Sequence, residues 1–390
     1  MPNSAASRLV LGSFSEERVT EAARETLEAA GGRVSCGFVF ASADYLPILP
    51  DFLELIQLHG HVPTLVGCSG SGLIANSLEA EEASGFSLLL LHLPDTTLTP
   101  FTFDQAKVDS LSSPRAWREA VGGHADEVES WIAIGNPATL PIEDWLDHWN
   151  LAFPGVPVLG GLASGGHNAG EIFVMHNRKI IESCAALGFR GGVRVHTVVS
   201  QGCRPIGEPL TITGAEQNIV TSLGSRPAFE RLTETYETLP ADDRAHAAGN
   251  LFAGLAMSEY IDEFKTGDFL VRNLIAADPS SGALAIGALP RVGQTLQFQL
   301  RDRQSATEDL NRMLQQKKKT GVRPFASLVF SCSGRGKGLF GAPHHDAAAL
   351  KEHFGAVPSA GFFCNGEIGP VGGKNFVHGY TASIALFSDL

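Results

Sequence analysis

Apolar residues along the chain alternate between a spacing of three to four, typical of helices, and short uninterrupted runs, typical of buried strands. The first 93 residues show one series of such segments, separated by glycine and polar residues. The pattern predicts a helix over 19–30, a strand over 34–41, a helix from Asp51, a short strand over 63–67 and a strand over 86–93. This order predicts one α/β unit.

The same order returns twice further along the chain. The last 86 residues predict a helix after a capping box at 305–308, a strand over 325–331, a helix capped by Asp346, a strand from Ala360 and a strand over 380–387. A less distinct copy in the middle predicts helices over 114–121 and 141–149 and strands over 131–135 and 156–160. Between them, 193–299 is rich in predicted strands, with one helix near 227–236.

The predicted fold is therefore an α/β protein in which repeated helix-strand-helix-strand-strand units form mixed sheets flanked by helices. Gly191-Gly192 separates the middle copy from the strand-rich segment, and we place the domain boundary there, giving domains 1–191 and 192–390. Because no low-complexity linker marks this boundary, we expect two closely packed halves.

Several predicted strands end in loops of glycine, serine and cysteine. In α/β sheets, ligands bind beyond the carboxyl ends of strands, where glycine lets main-chain N–H groups approach a ligand. If these loops converge, they line a pocket. The loop residues predicted to line it are Cys68, Ser69, Gly70, Gly160, Gly161, Ser164, Ser333, Gly334, Cys364, Asn365 and Gly366.

Glu367 is the charged residue most clearly held in such a loop, between Gly366 and Ile368. Its predicted partner is Arg335 of a neighbouring loop or Arg272 in the predicted strand 269–274. A carboxylate beside a guanidinium suits a ligand that carries both charges, such as an amino acid. A structural salt bridge is the alternative interpretation.

Composition and charge exclude several classes of protein. The 390 residues carry a net charge of −13, which argues against a surface that binds nucleic acid, and the longest apolar run, Leu88 to Leu91, is too short to enter a membrane. Six cysteines without a CxxC motif, and no apolar leader segment, indicate a reduced, cytoplasmic protein.

Motifs of known catalysts are absent. No serine of the loops has the G-x-S-x-G pattern, and Lys337 is followed by Gly338 rather than by the serine or threonine of a phosphate loop. Cys68, Cys332 and Cys364 stand where a thiol nucleophile would, although cysteine more often packs as a small apolar residue. We expect neither a metal nor a cofactor, with haem ligated by one of the 13 histidines as the alternative.

The ordered set of motifs resembles the FIST family, named for F-box and intracellular signal transduction. The segments that carry the resemblance are 66–69, 160–164, 200–207, 262–273, Gly361 to Pro370 and His378 to Thr381. Together they cover nearly the whole chain as a FIST N-terminal and C-terminal pair.

The resemblance implies an intracellular sensory protein that binds a small polar ligand, such as an amino acid or related metabolite, and has no enzymatic activity. We expect the signalling output to lie in a separate partner protein. Two alternatives remain from the resemblance and the loops: a haem-binding nitric oxide sensor that acts on a histidine kinase, and a ligand-free scaffold for protein–protein interaction. A hydrolase or transferase that uses a strand-end cysteine is a further alternative.

Overall fold

The computed structural model describes residues 2–166 and 168–390. The described residues form ten α-helices: α1 Glu16–Ala29, α2 Leu49–His59, α3 Gln105–Ser110, α4 Pro114–Val121, α5 Ile142–Ala152, α6 Ala228–Glu237, α7 Ala241–His246, α8 Arg303–Lys319, α9 Gly336–Phe340 and α10 His345–Phe354. In this part of the chain, none of the helices has both the length and the apolar surface needed to cross a bilayer.

The strands of the described residues are numbered in chain order. They are β1 Ser4–Leu11, β2 Cys36–Ala41, β3 Leu65–Ser69, β4 Gly72–Ala75, β5 Leu78–Glu81, β6 Gly85–His92, β7 Thr97–Phe103, β8 Ser130–Gly135, β9 Val158–Leu162, β10 Val174–His176, β11 Lys179–Ile181, β12 Cys184–Arg190, β13 Val193–Gln201, β14 Cys203–Pro205, β15 Leu210–Glu216, β16 Ile219–Leu223, β17 Arg226–Pro227, β18 Leu251–Ala256, β19 Phe269–Asp278, β20 Ala283–Ile286, β21 Thr295–Arg301, β22 Ala326–Cys332, β23 Ser359–Cys364, β24 Glu367–Val371, β25 Lys374–His378 and β26 Thr381–Asp389.

The chain forms two compact units. The first extends to Val199 and includes Leu310–Val377 and Thr381–Leu390, while the second comprises Ser200–Asp309 and His378–Tyr380. The main segment of the second unit therefore begins near the end of β13 and ends in the first half of α8. The boundary at 191 that the sequence suggested stays a prediction.

Three repeats of one topology build the first unit. Repeat 1 runs from β1 to β6, repeat 2 from β7 to β12, and repeat 3 comprises β13 and the segment from α8 to β26. The three sheets have the orders β1-β6-β2-β3-β10-β11, β7-β12-β8-β9-β24-β25 and β13-β26-β22-β23-β4-β5. Each contains one parallel pair (β2–β3, β8–β9 or β22–β23) among antiparallel neighbours. The predicted α/β fold of mixed sheets and helices is therefore confirmed.

The hairpin that follows each parallel pair leaves its own sheet and extends the sheet of another repeat. The hairpin β4–β5 of repeat 1 adds to β23, with Leu73 opposite Phe362. The hairpin β10–β11 of repeat 2 adds to β3, and β24–β25 of repeat 3 adds to β9. This cyclic exchange ties the carboxyl ends of β3, β9 and β23 to one another.

Each sheet of the first unit is buried on both faces. One face meets a central core shared by all three sheets, where the rings of Phe40, Phe330 and Phe362 lie 4.8–6.2 Å apart. The other face is covered by two main helices: α1 with α2, α4 with α5, or α8 with α10. Burial on both faces explains why the strands read as continuous apolar runs rather than as alternating ones.

A glycine occupies the same position in the second parallel strand of every repeat. A Cβ atom at these positions would lie 1.7–1.9 Å from a carbonyl oxygen of the first parallel strand, a distance that no real contact allows. The three glycines and the residues opposite them are Gly67 with Val39, Gly160 with Ala133 and Gly361 with Val329. Gly160 was predicted to line a pocket, but in the structure it allows two parallel strands to lie close together.

The second unit is an antiparallel barrel. Its strands pair in the order β21-β15-β16-β20-β19-β18, and β18 pairs again with β21, so that the ring closes. Apolar side chains such as Ile212, Leu284 and Phe298 fill the core. The sequence predicted strands and one helix here, but a second helix, α7, begins directly after Pro240, so the expectation of a single helix is wrong.

Candidate functional site

Loops from all three repeats of the first unit converge, and three serines connect them. Ser71 follows β3, Ser164 follows β9 and Ser333 follows β22. The hydroxyl oxygens of Ser71 and Ser333 lie 3.0 Å apart, and Ser164 Oγ accepts a hydrogen bond of 2.9 Å from the main-chain N–H of Ser71. The hydroxyls of Ser71 and Ser164 both donate to the carbonyl oxygen of Phe363.

A cleft of about 810 Å³ opens above these serines. Four of the loop residues predicted from the sequence line it, namely Gly70, Ser164, Ser333 and Asn365. The predicted convergence of glycine- and serine-containing strand ends is therefore observed at this cleft.

The cleft is acidic. Asp44, Glu82 and Glu171 line it, and the described lining residues include no lysine, arginine or histidine. Asp44 Oδ2 accepts a hydrogen bond of 2.6 Å from the hydroxyl of Ser84, which orients this carboxylate. None of the three acidic residues was singled out from the sequence, because none belongs to a motif that indicates a binding site.

The remaining predicted loop residues do not line the cleft. Cys68, Ser69, Gly161 and Cys364 are fully buried behind it, and Ser69 Oγ accepts a hydrogen bond from the N–H of Phe173. Burial raises the pKa of the Cys68 and Cys364 thiols well above the ordinary value, which keeps both protonated at neutral pH. All six cysteines are thiols. Gly334 and Gly366 are likewise absent from the lining.

Arg335 is fully buried and binds Asp346 rather than a ligand. Its Nε and Nη2 atoms donate to the two carboxylate oxygens of Asp346, each at 2.8 Å. Burial alone would raise the pKa of Asp346, but the charge and hydrogen bonds of Arg335 hold it well below its usual range. Asp346 was expected to cap α10; instead His344 occupies the N-cap position, and the Asp346 carboxylate lies against Arg335.

Glu367 is fully buried at the start of β24, opposite Gly161 of β9. Burial raises the pKa of Glu367 well above its ordinary value, more than the N–H of Thr381 and the charge of Arg335 lower it. The raised pKa favours the uncharged form of the side chain, which does not line the cleft. Arg272, its other predicted partner, belongs to β19 of the second unit, where its Nη1 donates to the carbonyl oxygen of Val271.

Glu79 is a buried carboxylate that the sequence did not indicate. It lies in β5, and its Oε1 accepts a hydrogen bond of 2.8 Å from the N–H of Ala347 in the first turn of α10. Burial, and after it the negative charge of Asp346, raise the pKa of Glu79 to about 7. In the sequence Glu79 belongs to a run of acidic residues typical of solvated surface, and only the hairpin exchange between repeats buries it.

Glu79 should make the stability of the first unit depend on pH. The pKa of Glu79 is about 7 in the folded state and near 4.3 in an unfolded chain, so the folded state binds the proton of this carboxyl more tightly. The resulting stabilisation of the folded state is fully present below pH 4.3 and is lost as the pH rises through 7. Replacing Glu79 by glutamine should reduce the fall in unfolding free energy between pH 5 and pH 8 by an amount on the order of 3 kcal/mol. Urea unfolding at four pH values measures this.

The control is Glu28→Gln on the exposed surface of α1, which should leave the pH profile as it is in the original protein. A Glu79→Gln profile that superimposes on the original would contradict a buried carboxyl that titrates near neutrality.

The fold and the site define a class: a three-repeat α/β protein with an inserted antiparallel barrel and an acidic cleft where strand ends converge. Comparison with known protein families identifies the family to which the chain belongs. A model of the FIST N domain matches residues 35–226, and a model of the FIST C domain matches residues 228–370. The chain belongs to the FIST family, which confirms the resemblance noted in its motifs.

Relatives extend over almost the whole chain. An uncharacterised protein of Mycobacterium tuberculosis is 35% identical over 370 residues, which cover 94% of this chain and 95% of the relative. An uncharacterised protein of Mycobacterium bovis is 35% identical over 367 residues, covering 93% and 92%. An uncharacterised protein of Methanocaldococcus jannaschii is 25% identical over 208 residues, covering 47% of this chain and 38% of the relative.

A solved structure of cyanuric acid hydrolase is similar to this chain with a TM-score of 0.34 and 11% sequence identity, over 100% of this chain and 99% of the other. FIST domains are in general sensory, signal-transduction domains.

Among residues 2–166 and 168–390 there is no group of three histidine, cysteine, aspartate or glutamate side chains that could hold a metal ion.

Proposed function

We propose that this chain is a non-enzymatic sensory protein that binds a small polar ligand, an amino acid or a related amine, in the acidic cleft. It then signals through a separate partner protein. The observation that carries the proposal is the meeting of Ser71, Ser164 and Ser333, one from each repeat, at the base of an open cleft. Strand ends are the usual binding edge of α/β sheets.

The lining determines the class of ligand. Carboxylates of Asp44, Glu82 and Glu171 favour a ligand with a positive charge. The serine hydroxyls donate their hydrogens to main-chain carbonyls, so they offer lone pairs that accept hydrogen bonds from such a ligand. The Coulomb attraction between an ammonium group and a carboxylate 4 Å apart is about 4 kcal/mol near a protein surface, and loss of hydration offsets most of it. A volume of about 810 Å³ lies within the range of small-molecule sites. The ligand is therefore recognised chiefly through its amine.

Hydrogen bonding at the serines supports a binding role rather than catalysis. A serine nucleophile needs a general base in contact with its hydroxyl. The partners of Ser71 and Ser164 are another hydroxyl and a main-chain carbonyl, neither of which is a base. The neighbouring thiols of Cys68 and Cys364 are buried and protonated, which disfavours thiolate chemistry.

Signal output follows from the position of the cleft. A ligand shifts a conformational equilibrium only as far as it binds one state better than another. Because the lining belongs to all three repeats, a ligand that bridges Asp44 of repeat 1 and Glu171 of repeat 2 favours one arrangement of the repeats. A partner that contacts more than one repeat would recognise that arrangement.

Thermal unfolding in the presence of the 20 amino acids and of putrescine tests the proposal. A ligand present at 100 times its dissociation constant should stabilise the protein by about 2.7 kcal/mol. The variant Asp44→Asn/Glu82→Gln/Glu171→Gln should lose this stabilisation, because it removes the charges that attract the amine and keeps the shape of the side chains.

A matched control removes an acidic charge away from the cleft, as in Glu21→Gln on the exposed surface of α1, and should leave the stabilisation unchanged. No stabilisation by any of these compounds, or equal stabilisation of the triple variant, would contradict binding of an amine in this cleft.

A further inference from the structure

A second cavity of the first unit, of about 350 Å³, lies where the start of β13, the end of α8 and the end of β26 meet. Its lining includes Arg194, His196, Arg323, Ser388 and Asp389 and shares no residue with the acidic cleft.

Positive charge accumulates at this cavity in a chain whose net charge is −13. The side chains of Arg194 and Arg323 are exposed, and Lys317 of α8 is close enough to act electrostatically on His196. Among the described residues, none of these three cations has a carboxylate partner within ion-pair distance. Like charges that are held close together repel one another.

The pKa of His196 reflects these nearby positive charges. Burial, and after it the charges of Lys317 and Arg194, lower the pKa of His196 below its ordinary value. Burial also lowers the pKa of Lys317. An anion in the cavity would remove the repulsion.

The hydrogen bonds of His196 leave one ring nitrogen for a ligand. His196 Nε2 lies 2.9 Å from Ser388 Oγ, and the hydroxyl of Ser388 donates to the carbonyl oxygen of Asp389 at 3.0 Å. Nε2 therefore carries the hydrogen and donates to Ser388, so protonation of the ring adds a second donor at Nδ1.

Asp389 is the acidic residue among the described lining residues, and its Oδ1 accepts a hydrogen bond of 2.8 Å from Asn3 Nδ2. Because the lining also holds Arg194 and Arg323, the side-chain charge of the described lining residues is positive.

We propose that this cavity binds a tetrahedral oxyanion, a phosphoryl or sulfate group, through the guanidinium groups of Arg194 and Arg323 and the imidazole of His196. Arginine presents a planar fork of donors that matches the oxygens of such an anion, and a protonated histidine adds one charge-assisted hydrogen bond.

Calorimetric titration with sulfate, at constant ionic strength held by chloride, tests the proposal. Sulfate keeps its charge between pH 5.5 and 7.5, so binding that tightens as the pH falls reports the protonation of His196. Arg194→Ala/Arg323→Ala should weaken binding at least tenfold, and both arginines are exposed, so the variant should fold. Asp389→Asn should tighten binding several-fold, because it removes the negative charge from the lining.

Arg33→Ala, an exposed arginine outside the cavity, is the control and should bind sulfate as the original protein does. The imidazole NMR signal of His196 should titrate at a higher pH when sulfate is bound. Absence of saturable binding, a loss in Arg33→Ala equal to that in the double variant, or an unchanged His196 titration would each overturn the proposal.

A second titration replaces sulfate by inorganic phosphate and then by glycerol 3-phosphate at pH 7.5. Binding of both assigns recognition to the phosphoryl group of an organic ligand. Binding of inorganic phosphate alone assigns the cavity to a free anion, and binding of neither overturns the proposal.

Discussion

Asp346→Asn should destabilise the protein by roughly 3–5 kcal/mol, because it leaves the guanidinium of Arg335 buried without a counter-charge. Both side chains are almost completely excluded from solvent, at 0% and 2% exposure, so water does not replace the lost carboxylate. The carboxylate also accepts hydrogen bonds from the hydroxyl of Ser331 and from Nε and Nη2 of Arg335. Chemical unfolding at pH 7, monitored by tryptophan fluorescence, measures the loss.

The double variant Arg335→Met/Asp346→Leu removes both charges of the ion pair and keeps most of the volume of its side chains. It therefore distinguishes the effect of an unpaired buried charge from the effect of lost packing. Replacing both charges by apolar side chains of similar size removes the desolvation cost together with the attraction, so this variant should be more stable than Asp346→Asn. If Asp346→Asn instead unfolds at the same denaturant concentration as the original protein, the pair contributes little and its assigned structural role is wrong.

Gly160→Ala should be at least as damaging, with an expected loss of about 4 kcal/mol or more. A methyl group at this position would lie 1.7 Å from the carbonyl oxygen of Ala133 in the adjacent strand β8. Because the obstacle is main chain inside a buried sheet, relief requires the two parallel strands to separate and to lose hydrogen bonds. Gly67→Ala and Gly361→Ala should have the same effect in the other two repeats.

Gly338→Ala provides the matched control. Gly338 lies in α9, has no positive φ and has open space where a Cβ atom would be, so alanine should be tolerated or slightly stabilising. Thermal unfolding of the four variants side by side checks the contrast. A Gly160→Ala protein as stable as Gly338→Ala would show that the strands of repeat 2 lie further apart than described.

Local patterns predicted the elements of the fold well, because helices and buried strands leave strong periodic signals. The helix predicted over 114–121 is α4, and the strand predicted over 86–93 is β6 within one residue at each end. The strand-end loops were predicted from the same signals, and those around Ser71, Ser164 and Ser333 do converge.

Pairings over long sequence distances could not be predicted in this way. The hairpin β4–β5 resembles an ordinary surface hairpin, and nothing local indicates that it pairs with β23, almost 300 residues later. The burial of Glu79 follows from that pairing. Arg335 was expected to face Glu367, but Asp346, only 11 residues away, forms the bidentate pair.

The exchange of hairpins among the repeats has a consequence for synthesis of the chain. When β4 and β5 leave the ribosome, the strand that they will join, β23, is still some 280 residues from being made. Until then the hairpin exposes an apolar edge strand, which is a template for association with other nascent chains. Fragments that end before β23 should therefore aggregate, and productive folding should begin only after release of nearly the complete polypeptide.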